Sequence, residues 1–315
     1  MYICTSNMKK TYINIILICV FLHTGSLFSQ QKKISKRKPL ELGIMVGASH
    51  YIGDLTKGID FQETNPAAGI ICRYHITDYI TLRGSAWFGQ ISGDDKNYND
   101  EEFRKNRNLS FKSNIFEFSG TFEWNILGFE ETTKVRPFSP FLFAGFGVYK
   151  YNPKAQFKYM PNVILPSSGL PIHPAELAEF DGKWFELQPM ATEGQESTQY
   201  NDRKRYALTQ LSLPIGMGLK KQISDKWALG FEAGVRLTYN DYIDDVSKTY
   251  AGDQIVGSNS KIQAAVLADR TIELGRDYNA PKAARGTSTA PDMYMFTGIT
   301  LTRKLGGGKT KCFQF

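Results

Sequence analysis

The feature that most constrains this chain is a strict alternation of residue size. In KWALGFEAGVRLTY, residues 226–239, large apolar side chains occupy nearly every second position from Trp227 to Tyr239, while the positions between them hold Ala, Gly, Thr, Glu232 and Arg236. A period of two predicts a β-strand with two different faces. A face of small residues with isolated charges suits the inside of a narrow closed barrel, and the large apolar face suits contact with lipid.

Eight segments alternate in this way, and an even number of antiparallel strands closes into a barrel without a free edge. We expect strands at about residues 40–52, 67–77, 79–91, 114–127, 138–151, 207–223, 227–239 and 293–305. The connections after even-numbered strands are short, whereas those after odd-numbered strands are long, above all residues 152–206 and 240–292. The sequence therefore predicts an all-β fold, an eight-stranded antiparallel transmembrane β-barrel with periplasmic turns and two long extracellular loops.

A soluble lipocalin-like barrel or sandwich is the alternative fold, but it would need the large side chains inside and a polar outer face. Aromatic residues near the predicted strand ends favour the membrane barrel, because such residues form girdles at both membrane borders. The residues expected in these girdles are Tyr74, Trp87, Phe88, Trp124, Phe138, Tyr149, Tyr151, Trp227 and Tyr239.

The first 29 residues have the order of a secretory leader. Lys9 and Lys10 precede the apolar stretch 13–22, and small residues follow just before Gln30. The apolar stretch is too short for a membrane span, which needs about 20 residues. We therefore expect a cleaved signal peptide at residues 1–29 and the cell outer membrane as the destination of the mature chain.

A basic periplasmic segment is predicted next, at residues 30–39. Its charges are either solvated or in contact with anionic headgroups or with an acidic partner beside the membrane. They belong to Lys32, Lys33, Lys36, Arg37 and Lys38.

Seven charged residues share the predicted inner face: Glu41, Arg73, Arg83, Glu117, Glu123, Glu232 and Arg236. An isolated buried charge is unfavourable by several kcal/mol, so these groups must pair or be hydrated. Because eight strands leave room only for side chains, we expect an ion-pair network that fills the lumen. In particular, Arg83 or Arg236 should lie within ion-pair distance of an inward glutamate. A proton or solute path is the alternative.

Catalytic and metal-binding patterns are not recognisable in this sequence. His50, His75 and His173 lie far apart along the chain, and no pair has the spacing of metal ligands. The aspartates at 94–95 and at 241–245 lack the ligand order of a calcium-binding loop, so we expect solvated charges there. The net charge of +7 is spread along the chain, which argues against nucleic acid as a partner. We expect no enzyme, no cofactor and no small-molecule substrate.

Four segments give this chain a family resemblance. They are ELGIMVGASHYIGDL near residue 41, GKWFELQPMATEGQ at 182–195, YNDYIDDVSKTY at 239–250, and FTGITLTRKL followed by CFQF at the end. With them, nearly the whole mature chain resembles the PorG-type outer-membrane β-barrel of the type IX secretion system of Bacteroidetes. The second and third segments, in this order, carry most of the resemblance.

The resemblance implies a non-enzymatic component of a protein export apparatus, linked in many bacteria of that phylum to gliding motility. It also implies two partners, which are outer-membrane lipid and a periplasmic ring formed by a lipoprotein and its own partner. Such a ring would contact the periplasmic rim of the barrel. The candidate contact residues there are Lys32, Lys33, Lys36, Arg37, Lys38, Glu130, Glu131, Lys134, Arg136, Cys312, Phe313 and Phe315.

The two longest loops and the end of the chain complete these predictions. We expect residues 183–195 to form an ordered cap on the extracellular mouth or against residues 241–250, through Trp184, Phe185, Leu187, Asp241, Tyr242, Asp244 and Asp245. Three glycines after Leu305 favour a strand end there, with residues 306–315 as a periplasmic tail that either docks or frays. The alternative function is a stand-alone barrel for adhesion, envelope stability or minor solute passage.

Overall fold

The structure is a computed structural model that describes residues 40–56, 58–98, 101–129, 136–161, 175–252, 256 and 262–305. The predictions for the leader, the basic segment 30–39, the turn residues 130–135 and the tail 306–315 concern residues outside these ranges. Within the described ranges, no helix is long and apolar enough to cross a membrane.

Ten strands are present among the described residues. They are β1 (Leu40–Ile52), β2 (Asn65–His75), β3 (Ile80–Asp94), β4 (Ser110–Asn125), β5 (Phe138–Lys150), β6 (Pro153–Gln156), β7 (Trp184–Glu186), β8 (Thr209–Gln222), β9 (Trp227–Thr238) and β10 (Met293–Leu305). Eight of them pair antiparallel in the order β3-β2-β1-β10-β9-β8-β5-β4, and β3 also pairs with β4. This last pairing closes the sheet, so the predicted eight-stranded antiparallel barrel is confirmed.

The predicted strand boundaries agree with the observed ones to within four residues. The largest difference is at β4, which begins at Ser110 and pairs with β3 as far as Asp94. This hairpin continues past the apolar part of the wall into polar sequence, where the change in composition suggested that the strands end. The small strands β6 and β7 extend it further, because β6 pairs with β4 and β7 pairs with β6.

Short helices occupy parts of the long loops. They are α1 (Glu102–Arg107), α2 (Ile262–Ala268) and the 3₁₀ turns Asp95–Asn97, Ala175–Phe180, Gln188–Met190 and Thr271–Leu274. Helix α1 ends at Asn108, whose backbone adopts the left-handed conformation with φ of 54°. Asparagine tolerates this conformation better than most residues, so the sequence itself stops the helix there.

The outer face of the barrel is apolar and exposed, as the alternation predicts. Ile44, Phe122 and Phe146 are 56%, 64% and 76% exposed, and their positions alternate with buried ones along β1, β4 and β5. A soluble barrel would bury such side chains and expose polar ones. The wall therefore has the opposite polarity to that of a soluble barrel.

The prediction of the aromatic girdle residues is partly wrong. Tyr74, Phe88, Trp124, Phe138, Trp227 and Tyr239 are exposed on the outer face, whereas Trp87, Tyr149 and Tyr151 are almost fully buried. Trp87 has the same parity on β3 as the inward Arg83, and Tyr149 has the same parity on β5 as the buried Phe141. Position near a strand end is therefore a weaker guide to orientation than the alternation of the strand.

The inner face is also richer in aromatic residues than its small residues suggest. Trp87 stacks on Phe296 with ring centroids 4.8 Å apart, and Phe141 and Phe143 lie deeper in the barrel. Inward glycines make room for these rings, since a Cβ atom on Gly216 or Gly234 would overlap with the ring of Phe143. The loop end of the lumen thus holds an aromatic core that continues into the loops through Tyr51, Phe111 and Ile243.

Candidate functional site

All seven charged residues predicted for the inner face are buried inside the barrel. Glu123 on β4 receives the Nε atom of Arg73 at 2.9 Å and the Nζ atom of Lys220 at 2.5 Å. Glu232 on β9 pairs with Arg83 and lies 3.5 Å from the Nη2 atom of Arg73. Five strands thus contribute to one connected network, in which each carboxylate meets a cation.

A second pair lies closer to the loops. The Nε atom of Arg236 is 3.1 Å from an oxygen of Glu117, and the hydroxyl of Tyr294 donates to the same oxygen at 2.7 Å. The guanidinium group of Arg236 also lies 4.6 Å from the centre of the Phe296 ring. The expected pairing of Arg236 with an inward glutamate is therefore present, with a stacked ring beside it.

Glu41 forms a third contact at the turn end of the barrel, where an oxygen of its carboxylate is 3.0 Å from Nε2 of His75. Sequence reasoning did not identify three members of these networks, namely His75, Lys220 and Tyr294. The alternation contains the signal for all three, because each has inward parity on its strand.

The lumen therefore has the properties of a packed core and not of a channel. Its charges are matched at ion-pair distance, and aromatic rings fill the space above them. Moving a solute along the axis would separate these buried pairs, which is unfavourable by several kcal/mol for each pair broken. The geometry favours a structural role for the interior over the proton or solute path.

The long loops form an ordered cap, which we define as the described parts of residues 53–64, 95–109, 152–208 and 240–292. Glu193 is its centre, and the structure buries this side chain completely. Its carboxylate accepts hydrogen bonds from the backbone N–H groups of Ser247 at 3.0 Å and Lys248 at 3.1 Å. It also accepts a hydrogen bond from the hydroxyl of Tyr242 at 3.0 Å. The predicted contact between residues 183–195 and 241–250 is thus present, although Glu193 itself was not among the predicted residues.

Two arginines connect the remaining loops to this centre. Arg285 lies 3.0 Å from Glu193 and also pairs with Asp245 at 3.5 Å. Arg107 donates to the carbonyl oxygen of Arg285 at 2.7 Å and to that of Asp54 at 2.8 Å, while it pairs with Asp95. All four long loops therefore join in one buried polar network.

The apolar residues predicted for the cap differ in their surroundings. Phe185 packs edge-on against Phe157 and Phe180, and Leu187 is buried. Trp184 is 43% exposed, and the ammonium group of Lys112 lies 3.4 Å from the centre of its ring.

The aspartates at 94–95 and at 241–245 are buried or half-buried, so the expectation of solvated charge at these positions is wrong. Asp245 accepts from the hydroxyl of Tyr206 at 2.7 Å, and Asp244 and Asp292 both contact the hydroxyl of Tyr51, at 2.7 and 2.6 Å. That hydroxyl carries one proton, so it donates to only one of the two carboxyl groups at a time. The loop folds these aspartates against the mouth of the barrel, where water has little access.

Burial raises the pKa of several of these carboxyl groups. It raises the pKa of Asp241 to about 7, and nearby Asp54 and Glu193 act in the same direction. It raises the pKa of Asp245 to about 6, although Arg285 opposes this shift. Burial raises the pKa of Asp244 well above its usual range, and repulsion from Asp292 acts in the same direction. Burial also raises the pKa of Asp292 well above its usual range. The mouth of the barrel therefore holds protons at pH values where exposed aspartates have lost them.

The candidate contact residues at the turn end are mostly outside the described residues. This holds for Lys32, Lys33, Lys36, Arg37, Lys38, Glu130, Glu131, Lys134, Cys312, Phe313 and Phe315. Arg136 is described, and it donates to the hydroxyl of Tyr79 at 3.1 Å beside the β2–β3 turn. Among the described residues, no group of three or more His, Cys, Asp or Glu side chains is placed to hold a metal ion.

Comparison with known families gives one match. Residues 13–162 match the model of a domain of unknown function, DUF6089. No curated protein matches the chain.

Several solved structures of outer-membrane and surface proteins are similar to this chain. OprG from Pseudomonas aeruginosa is 8% identical with a TM-score of 0.37, and the alignment covers 87% of this chain and 100% of that one. Neisserial surface protein A is 8% identical with a TM-score of 0.37, covering 84% and 97%. Ail from Yersinia pestis, in complex with the heparin analogue sucrose octasulfate, is 8% identical with a TM-score of 0.36, covering 85% and 99%.

Proposed function

We propose that this chain is an outer-membrane barrel that serves protein export without chemistry of its own. The apolar outer face supports the membrane location, because exposed isoleucine, phenylalanine and methionine side chains on the barrel strands are stable only against hydrocarbon. The lengths of the connections support the orientation of the barrel in the membrane, with the short turns in the periplasm and the cap outside the cell. The leader predicted at residues 1–29 agrees with this route.

The type IX secretion role is part of the same proposal, and one observation carries it. The segments 182–195 and 239–250, which hold most of the resemblance, meet at Glu193 in the centre of the cap. A buried carboxylate with several protein donors gives a loop pair one fixed arrangement. Such an arrangement suits a rigid surface that binds other proteins of an export apparatus, and a mobile surface loop would not need it.

Two partners are proposed, one at the periplasmic rim and one around the wall of the barrel. The periplasmic lipoprotein ring would contact Arg136 at the turn end of the barrel, together with the segments 30–39 and 306–315, which the sequence predicts to lie in the periplasm. Outer-membrane lipid would surround the wall. The paired charges of the lumen support a subunit that holds partners in place, since they close the route that a solute channel needs.

The test opens the cap without removing the barrel. A Glu193→Ala variant in the chromosomal copy should reach the outer membrane at normal level while the amount of exported protein in the medium falls. Glu186→Ala is the matched control, because Glu186 lies in the same loop but its side chain is 49% exposed and pairs with Lys154 in contact with solvent. Normal export from cells whose cap is opened, as judged by protease sensitivity, would favour the stand-alone barrel for adhesion, envelope stability or minor solute passage.

A further inference from the structure

The first long loop lies outside the wall of the barrel, on the side of β1 that faces away from the lumen. His50 has the same parity as the exposed Ile44 and Val46, so its side chain points outward, yet it is buried. The loop covers it, because the ring of Phe61 meets the imidazole edge-on at 6.4 Å and the hydroxyl of Thr64 is 3.4 Å from its Nδ1 atom. Residues 58–64 therefore stand beside the outer end of the apolar wall.

This loop is held in place by the neighbouring loop. The hydroxyl of Tyr98 donates to Asp60 at 2.9 Å, and the side-chain amide of Asn97 donates to Glu63 at 2.6 Å. The hydroxyl of Ser92 also donates to Glu63. Both carboxylates of the loop are thus occupied by hydrogen bonds to the second hairpin.

The apolar side chains of the same loop have no such cover. Ile59 is 51% exposed and Phe61 is 83% exposed. Val46, which lies four residues before His50 on the same face of β1, is 55% exposed. The exposed ring of Phe61 stands at the loop end of the apolar wall, because it lies against the outward His50 of β1, and Ile59 is two residues away on the same loop. A surface of this kind fits the boundary between headgroups and acyl chains, where rings and branched chains insert by about 5–10 Å.

We propose that Ile59 and Phe61 anchor the first loop in the outer leaflet of the membrane. The partner is the lipid surface itself, and the anchor fixes the height of the cap above it. This inference rests on the proposed membrane location of the barrel. It goes beyond the export role, because it concerns the contact of one loop of the cap with lipid.

Tryptophan fluorescence in lipid vesicles tests the anchor directly. The background protein carries Trp124→Phe, Trp184→Phe and Trp227→Phe and keeps Trp87, which is buried in the lumen. Phe61→Trp is then added, and the vesicles contain phosphatidylcholine with bromine atoms near the headgroup end or near the methyl end of the acyl chains. We expect blue-shifted emission from position 61 that is quenched most by bromine near the headgroup end.

Phe103→Trp in the same background is the matched control. Phe103 is also an exposed aromatic residue, but it lies on helix α1 in the second long loop. This helix ends at Asn108, which donates to the carbonyl oxygen of Arg270 in the fourth long loop. Position 103 should emit as in water and stay unquenched. Equal behaviour of the two positions, whether both unquenched or both quenched, would overturn the anchor. If Phe61→Trp impairs folding, Ile59→Trp gives the same test.

The unmodified protein separates this proposal from the membrane location itself. Its outward Trp124 and Trp227 lie in the apolar wall and should be quenched in brominated vesicles. Quenching there without quenching at position 61 overturns the anchor alone. No quenching at Trp124 and Trp227 would overturn the membrane location and the anchor with it.

Discussion

Glu193 is the residue on which the order of the cap most depends. Its carboxylate accepts hydrogen bonds from two backbone N–H groups and one tyrosine and pairs with Arg285, so its removal leaves four donors without their acceptor. Each unsatisfied buried donor costs roughly 1–3 kcal/mol. The penalty falls on the contact between two loops, because Glu193 lies in the third long loop and all four donors lie in the fourth, residues 240–292.

We expect Glu193→Gln to loosen this contact while the barrel stays folded, because the amide keeps the size of the carboxylate but loses its charge and one acceptor. Amide hydrogen exchange at Ser247 and Lys248 should become faster by tenfold or more, which corresponds to about 1.4 kcal/mol. Glu186→Gln should leave exchange at these amides unchanged. Unchanged exchange in both variants would show that the backbone, and not Glu193, holds the loop.

The lumen pair of Arg236 and Glu117 gives a second prediction at this scale. Glu117→Ala leaves a buried guanidinium group without its partner, which should lower the free energy of unfolding by about 3–5 kcal/mol. The double variant Glu117→Leu with Arg236→Met removes both charges and should recover most of this loss. Heat- and urea-dependent gel mobility of the folded barrel measures the difference.

The exposed pair of Lys154 and Glu186 provides the comparison for this lumen variant. Glu186→Ala should change stability by no more than about 1 kcal/mol, because solvent screens that pair. A Glu117→Ala variant that is no less stable than Glu186→Ala would contradict the lumen account.

At the residue scale, the sequence predicts what the alternation determines. Parity places the seven inward charges correctly, and it would also have placed Lys220, Tyr294 and Trp87 if applied to every position. It does not predict Glu193 or Arg285, because they lie in loops where no period of two exists. Their contacts join positions 92 residues apart, and only the folded loops bring them together.

Among the secondary-structure elements, too, some were predicted from the sequence and others were not. The eight barrel strands follow from local patterns, since each must present one apolar face and end at a turn. The strands β6 and β7 and the helices α1 and α2 were not predicted, because they are short and owe their stability to packing within the cap. Prolines in residues 153–189 suggest irregular structure there, yet β6 begins at Pro153, where it pairs at the edge of the extended hairpin.

The fourth long loop should respond to pH through Asp241. A carboxyl group with a pKa raised from 3.8 to about 7 holds its proton more tightly in the folded protein than in the unfolded one. The stability of the folded cap therefore falls as pH rises through this window, and Asp245 adds to the effect up to about pH 6. Limited proteolysis of residues 240–250 should be slower at pH 5 than at pH 8.

Asp241→Asn identifies the group responsible for this effect. The variant cannot ionise, so its protease resistance should depend less on pH, with the largest gain near pH 8. Asp202→Asn is the control, since Asp202 is exposed and its pKa is lowered beside Lys248. Equal pH dependence in the unmodified protein and in Asp241→Asn would assign the effect to another group.

For the whole molecule, one feature separates this barrel from a bare membrane anchor. Arg107 and Arg285 tie all four long loops into a single network, which makes the cap one unit on top of a closed wall. The wall is specified by its alternation and the cap by long-range contacts, so sequence patterns predicted the former in detail and the latter only as an ordered region. Both parts together agree with a subunit that holds other proteins in place.

The most direct measurement of the central claim is the protein content of the medium after deletion of the gene. Quantitative proteomics should show that a whole set of exported proteins falls together and returns when the unmodified gene is restored. Release of periplasmic marker proteins should stay unchanged, which excludes a leaking envelope as the cause. A medium of normal composition, or one changed only by leakage of periplasmic proteins, would contradict a role in export.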